Sequence, residues 1–86
     1  MPTVSEFFGI VIAMYYADHA PPHFHALYGG REALVGIDPL RLLRGDLPPR
    51  ALALVAEWTI RNRDALVDDW LRARLGLPLE PIPPLD

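Results

Sequence analysis

All three histidines of the chain lie in one eight-residue segment, Asp18-His19-Ala20-Pro21-Pro22-His23-Phe24-His25. His23 and His25 are two residues apart in a stretch that is typical of a β-strand, so their imidazoles should point to the same side of a sheet. Imidazole titrates near neutral pH and binds metal ions, so this segment offers groups for acid–base chemistry or for part of a metal site.

Residues near the pair could complete either kind of site. The candidate catalytic residues are His25, His23 and Glu32, and the candidate binding residues are Asp18, His19 and Arg31. Glu32 could orient an imidazole or act as a base, and Arg31 could contact phosphate. A metal needs three or four ligands, and the histidines reach three only if a neighbouring loop brings in another group. The sequence therefore leaves metal binding open, predicts no cofactor, and equally allows two structural imidazoles that only satisfy hydrogen bonds.

A hairpin should hold the two histidines in place. Two glycines, Gly29-Gly30, separate two runs that are typical of strands, which predicts a two-residue turn with positive φ. That turn sets a register in which Tyr28 pairs with Arg31 and His23 pairs with Gly36. One face then carries Phe24, Ala26, Ala33 and Val35, which is the better core face. The other carries the histidines, with Glu32 diagonal to His25.

The remaining elements predict an α+β fold, with a small antiparallel sheet of three to four strands followed by two C-terminal helices packed on one face. The apolar run 7–16 is interpreted as one central strand and 40–43 as a short edge strand. Residues 48–75 are helical in composition but too long for one straight helix, so we expect a break near 61–64, with Asp64 as an N-cap. Residues 1–76 form one domain, and 77–86 form a proline-rich extended tail.

Composition limits the class of protein. With 86 residues and no cysteine, the chain has a marginal core and no disulfides. A homodimer, or a small protein partner encoded by a neighbouring gene, is the expected additional support. The net charge of −3 does not indicate a nucleic-acid partner, although one is possible. No apolar run is long enough for a membrane, and the N-terminal residues lack the basic flank of a signal peptide, so a cytoplasmic location is expected.

Several motifs together resemble a bacterial family catalogued as domain of unknown function 4160. They are Pro2-Thr3-Val4-Ser5, Phe7-Phe8-Gly9-Ile10, Asp18-His19-x-Pro21-Pro22-His23-Phe24-His25, Tyr28-Gly29-Gly30, Leu47-Pro48-x-Arg50-Ala51-Leu52, Glu57-Trp58 and Trp70. The resemblance implies a small cytoplasmic protein, often encoded beside another small protein in pairs proposed to be toxin–antitoxin modules. It supplies no catalytic residue.

The expected function is therefore that of a protein-binding component of a two-gene module, of the toxin–antitoxin kind among others. The alternative is a histidine-dependent ribonuclease that acts as an mRNA-cleaving toxin. Cleavage of RNA needs one group to deprotonate the 2′-hydroxyl and another to protonate the leaving oxygen, and two histidines can do both. Whether the chain is an enzyme stays open at this level.

Overall fold

A computed structural model describes residues 2–86 and contains five strands followed by two helices. The strands are β1 (Thr3–Phe7), β2 (Ile10–Ala13), β3 (His23–Tyr28), β4 (Arg31–Ile37) and β5 (Leu40–Gly45). They lie side by side in chain order, and each adjacent pair is antiparallel. The helices are α1 (Pro49–Arg61) and α2 (Arg63–Arg74). The α+β class with two C-terminal helices is confirmed, whereas the expected three to four strands were too few.

The additional strand comes from a chain reversal inside the first apolar run. Phe8 and Gly9 both have positive φ, 49° and 77°, and Phe7 pairs with Ile10 across the turn. A turn of this kind suits the right-handed twist of a two-stranded hairpin. The prediction of one continuous strand over 7–16 was therefore wrong, because this turn begins with a phenylalanine where glycine or asparagine is usual.

The predicted β3–β4 hairpin is confirmed pair by pair, from His23 opposite Gly36 to Tyr28 opposite Arg31. One face of this hairpin carries the four residues predicted for the core, all of them buried: Phe24, Ala26, Ala33 and Val35. Trp58 of α1 is fully buried and contacts the Phe24 ring edge-to-face, with the ring centroids 5.8 Å apart. Consequently the histidines point to the opposite face of the sheet.

The helical region breaks at Asn62, inside the predicted range, and Asn62 flanks both helices. The prediction of Asp64 as an N-cap was wrong. Asp64 lies in the first turn of α2, where its negative charge interacts favourably with the positive end of the helix dipole. Among the described residues, no helix has the length and apolar character needed to cross a membrane.

Residues 77–86 contain neither helix nor strand. Ile82 and Leu85 are nevertheless buried in the same core as the sheet. The Ile82 N–H donates to the Val4 carbonyl (2.8 Å), and the Trp58 indole N–H donates to the Pro83 carbonyl (2.9 Å). The tail thus packs along β1 at one edge of the sheet. At the other edge, β5 pairs only with β4 within residues 2–86.

Candidate functional site

The carboxylate of Asp18 joins the two strand histidines. Its Oδ2 atom lies 3.0 Å from Nε2 of His23 and 3.0 Å from Nε2 of His25. The candidate ligand atoms of the three residues all lie within 4.8 Å of one another. The structure therefore places one carboxylate and two imidazoles around a common point.

The second nitrogen of each imidazole also has a partner. Nδ1 of His23 donates to the Pro21 carbonyl (2.8 Å), and Nδ1 of His25 lies 2.9 Å from Oε2 of Glu32. The His25–Glu32 contact is the diagonal pair that the hairpin register predicted. Asp18, His23, His25 and Glu32 are hereafter called the histidine cluster. In it, all four ring nitrogens have a hydrogen-bonding partner.

Local backbone structure explains how the cluster assembles. His23 and His25 alternate with the core residue Phe24, and β3 lies between β2 and β4, so its backbone is hydrogen-bonded on both sides. The loop after β2 turns back through Ala17, whose φ is +62°, and this brings Asp18 over the strand. Sequence reasoning named Asp18 as a candidate binding residue but could not place it, because the loop conformation is not readable from residue spacing.

The cluster is partly covered. The exposed fractions of the side chains are 6% for His23, 12% for His25, 26% for Asp18 and 45% for Glu32. Burial alone would raise the pKa of the Asp18 carboxyl. The His25 hydrogen bond and the charges of both imidazoles outweigh burial and hold that pKa below its ordinary value. Asp18 is thus ionised at neutral pH and accessible from one side.

Aromatic rings fix the orientation of both imidazoles. Tyr15 meets the His25 ring edge-to-face with the centroids 4.3 Å apart, and the Trp70 ring lies 5.2 Å from that of His23. These contacts could not be predicted from residue spacing, since they join the cluster to the loop after β2 and to α2. Their effect is to restrict ring rotation, so the Nε2 atoms stay directed at Asp18.

Two of the predicted site residues lie outside the cluster. His19 is exposed, and among the described residues its imidazole has no hydrogen bond, although its backbone N–H helps to stabilise the Asp18 carboxylate. Arg31 is exposed beside the Gly29-Gly30 turn, at the far end of the hairpin from His23. The structure therefore brings together Asp18, both strand histidines and Glu32, but not these two side chains.

Two arginines of β5 lie on the same side of the sheet as the cluster. Arg41 is opposite Gly36, which is itself opposite His23, and Arg44 is opposite Leu34. Gly36 leaves room for the stem of Arg41, whose Cγ would be 3.4 Å from a Cβ at that position. Neither arginine has an ion pair within residues 2–86. They add unpaired positive charge to a cleft that Asp18 also lines.

The other side of β5 is apolar. Leu40 and Leu42 are exposed, Leu42 by 47%, and they border a groove of about 190 Å³ between β5 and α1. The groove is lined by Val35, Leu52, Val55 and Ala56 together with those leucines and Arg41. We refer to it as the β5 groove. The strand thus combines apolar residues on one face, arginines on the other, and a free edge.

Comparison with known protein families identifies the chain at this point. A family model described as Domain of unknown function (DUF4160) matches residues 9–71. The chain belongs to this family. The match confirms the resemblance carried by the sequence motifs and includes the whole histidine cluster and β5. No curated protein and no solved structure matches the chain.

Proposed function

We propose that this chain is the protein-binding component of a two-gene module of the toxin–antitoxin kind, and that it binds its partner along β5. The observation that supports this proposal is the difference between the two sheet edges. The tail covers β1 through the Ile82–Val4 hydrogen bond, whereas β5 has no second strand partner among residues 2–86. A free edge strand is a template for an added strand from another chain.

The side chains of β5 define the chemistry of the partner. An added strand would direct alternate side chains towards the β5 groove and towards Arg41 and Arg44. Apolar residues fit the first position and acidic residues fit the second. The partner segment is therefore an extended strand in which apolar and acidic residues alternate.

A second copy of the chain fits this edge less well. Antiparallel pairing of two β5 strands brings arginines of one copy close to arginines of the other, and like charges in such positions destabilise a sheet. β5 itself contains no acidic residue to compensate. The proposal is therefore a heteromeric complex, in which the partner is the small protein encoded by the adjacent gene.

Binding of that purified protein to the full chain tests the proposal by titration calorimetry. Leu42→Asp should weaken binding at least about 30-fold, because it puts a charge in the β5 groove. A double variant that carries Arg41→Glu and Arg44→Glu should weaken binding to a similar extent and should make binding less dependent on the salt concentration. Leu71→Asp is the matched control, since Leu71 is 54% exposed on α2 and outside the groove; it should bind normally.

Circular dichroism melts show whether the variants are folded. If Leu42→Asp does not fold, the double arginine variant still tests the proposal, because it keeps every apolar residue of the β5 groove. The proposal fails if the adjacent gene product does not bind, or if Leu71→Asp and Leu42→Asp weaken binding equally. It also fails if sedimentation shows that the chain alone forms a dimer that Leu42→Asp dissociates, because β5 would then be a homodimer interface.

Histidine-dependent cleavage of RNA is the second candidate function. It is favoured by Arg41 and Arg44, which could hold a phosphate on the same side of the sheet as the histidines. We rank it second because all four ring nitrogens already have partners, so proton transfer to substrate must first break a hydrogen bond. If it holds, His25→Gln abolishes cleavage of single-stranded RNA without lowering the melting temperature, and His19→Gln leaves cleavage unchanged.

A further inference from the structure

In each imidazole, the hydrogen bond made by Nδ1 determines whether Nε2, the nitrogen that faces Asp18, carries a hydrogen or a lone pair. The Pro21 carbonyl can only accept, so Nδ1 of His23 must carry a hydrogen. An ionised Glu32 carboxylate also only accepts, so Nδ1 of His25 must carry one as well. In the neutral form of each ring, Nε2 is then unprotonated and directs its lone pair at Oδ2 of Asp18.

When both imidazoles are neutral, three electron-pair donors thus converge, and no other group within residues 2–86 places a positive charge between them. Two unprotonated imidazole nitrogens at 3.0 Å from a carboxylate oxygen repel that oxygen, and this repulsion is removed either by a proton on each nitrogen or by one metal ion among the three groups. In tetrahedral geometry, bond lengths of about 2.0–2.2 Å to zinc place neighbouring ligand atoms about 3.3–3.6 Å apart. The two observed distances of 3.0 Å are shorter, so the side chains need to separate by only about 0.3–0.6 Å to admit the ion.

The surroundings match those of metal-binding histidines. Such histidines donate their other ring N–H to a carboxylate or to a backbone carbonyl, which fixes the tautomer and makes the ligand more basic. His25 has the carboxylate of Glu32, and His23 has the Pro21 carbonyl. Both ligands come from the middle of a sheet and are held by the aromatic rings of Tyr15 and Trp70.

We propose that Asp18, His23 and His25 bind one divalent transition-metal ion through a carboxylate oxygen and two Nε2 atoms, with Glu32 as a positioning residue. Two imidazoles and one carboxylate suit zinc, manganese, iron, cobalt or nickel, whereas magnesium and calcium favour oxygen ligands. Three protein ligands and a partly exposed carboxylate leave coordination positions for water or another ligand. This inference does not depend on the protein-binding proposal, and it departs from the expectation, made from sequence, that the chain uses no cofactor.

Calorimetry of the full chain, stripped with a chelator and then dialysed, tests the proposal with zinc as the probe and magnesium as the comparison. Zinc should bind at one ion per chain with a dissociation constant tighter than about 10 µM. It should also raise the melting temperature, since it binds the native state. Magnesium at the same concentration should do neither.

Four substitutions locate the ion. His25→Gln and Asp18→Asn each remove a ligand and should weaken zinc binding more than about 100-fold. Glu32→Gln keeps a hydrogen-bonding group but loses its charge, and should weaken binding about 10- to 100-fold. His19→Gln is the matched control, because it replaces an exposed imidazole next to Asp18 that makes no contact within the cluster, while the His19 backbone N–H is kept; this variant should bind zinc like the unmodified chain.

Nitrogen-15 spectra of the two histidines provide a readout that does not require any variant to fold. Zinc should shift both Nε2 resonances and leave both Nδ1 atoms protonated. The proposal is overturned if the stripped chain does not bind zinc, if His19→Gln weakens binding as much as His25→Gln, or if zinc leaves both Nε2 resonances in place. The last result would mean that protons, rather than a metal ion, hold the imidazoles and Asp18 together.

Discussion

The packing of the C-terminal tail can be tested at one side chain. Ile82 is only 4% exposed, although it lies in a segment without regular secondary structure. Ile82→Ala removes three carbon atoms, and at about 0.8 kcal/mol for each buried methylene this loses about 2.4 kcal/mol of burial. A residual cavity adds to the cost. The backbone hydrogen bond from Ile82 to Val4 is unaffected, so the substitution measures the side chain alone.

We expect Ile82→Ala to lower the free energy of unfolding by about 3 kcal/mol. The tail can move to fill part of the space, which places the value in the lower half of the usual range of about 2–5 kcal/mol for such core substitutions. Chains of this length have total stabilities of about 4–13 kcal/mol, so the loss is a large share of the whole. Urea unfolding followed by the fluorescence of the two tryptophans, Trp58 and Trp70, and by circular dichroism measures it.

Leu77→Ala is the matched control in the same tail, because Leu77 is 44% exposed. It should change the free energy of unfolding by less than about 1 kcal/mol. If Ile82→Ala stays within about 0.5 kcal/mol of the unmodified chain, the tail does not pack on β1 in solution. In that case the β1 edge is also free, and the contrast between the two edges that supports partner binding at β5 is lost.

Three further substitutions, the last with its own control, test the core, a buried carboxyl and the end of β5. Phe24→Ala should cost about 3–5 kcal/mol in urea unfolding, because the ring is fully buried against Trp58; a loss under about 1 kcal/mol would exclude Phe24 from the core. Burial raises the pKa of the Asp69 carboxyl in the native state, although the carboxyl accepts a hydrogen bond from the Glu80 N–H. The protonated carboxyl therefore stabilises the native state fully below the unfolded-state pKa of about 3.9, and this stabilisation is lost as the pH rises through the native pKa. The unmodified chain should therefore gain stability relative to Asp69→Asn between pH 7 and pH 4, by about 1.4 kcal/mol for each unit by which the native pKa is raised, and parallel curves would contradict this. Gly45→Ala should destabilise the chain by more than about 1–3 kcal/mol, since φ is +75° and a Cβ there would overlap the Glu32 carbonyl; Gly30→Ala, with positive φ but open space, should cost less in the same thermal melts.

The central hairpin could be predicted in detail because two independent signals agreed on it. The Gly29-Gly30 pair set the turn, and the alternation from His23 to Tyr28 set the faces, so all six residue pairs follow. The N-terminal hairpin had neither signal. Phe8 occupies a positive-φ position that its sequence neighbourhood does not reveal, and the apolar residues on both sides read as one strand.

The contacts of the histidine cluster differ in the same way in how far they could be predicted from the sequence. The His25–Glu32 contact followed from the register, because a diagonal neighbour in a sheet is fixed once the turn is known. The position of Asp18 depends on a nine-residue connection between β2 and β3 that contains one positive-φ residue, Ala17. Arg41 and Arg44 lie on the same face of the sheet because of an irregularity in the β4–β5 pairing, and no residue type in the sequence indicates that irregularity.

β4 lies between the two surfaces proposed to bind ligands. On one side it pairs with β3, and Glu32 of β4 contacts His25; on the other side it pairs with β5. A partner strand on β5 would bring its acidic side chains to Arg41 and Arg44, on the same sheet face as Asp18. Negative charge there favours a cation at the cluster, so the two binding events should strengthen each other, and by thermodynamic linkage the effect is equal in both directions. The two proposals still fail separately, because Leu42 is directed away from the cluster and His25 is directed away from the β5 groove.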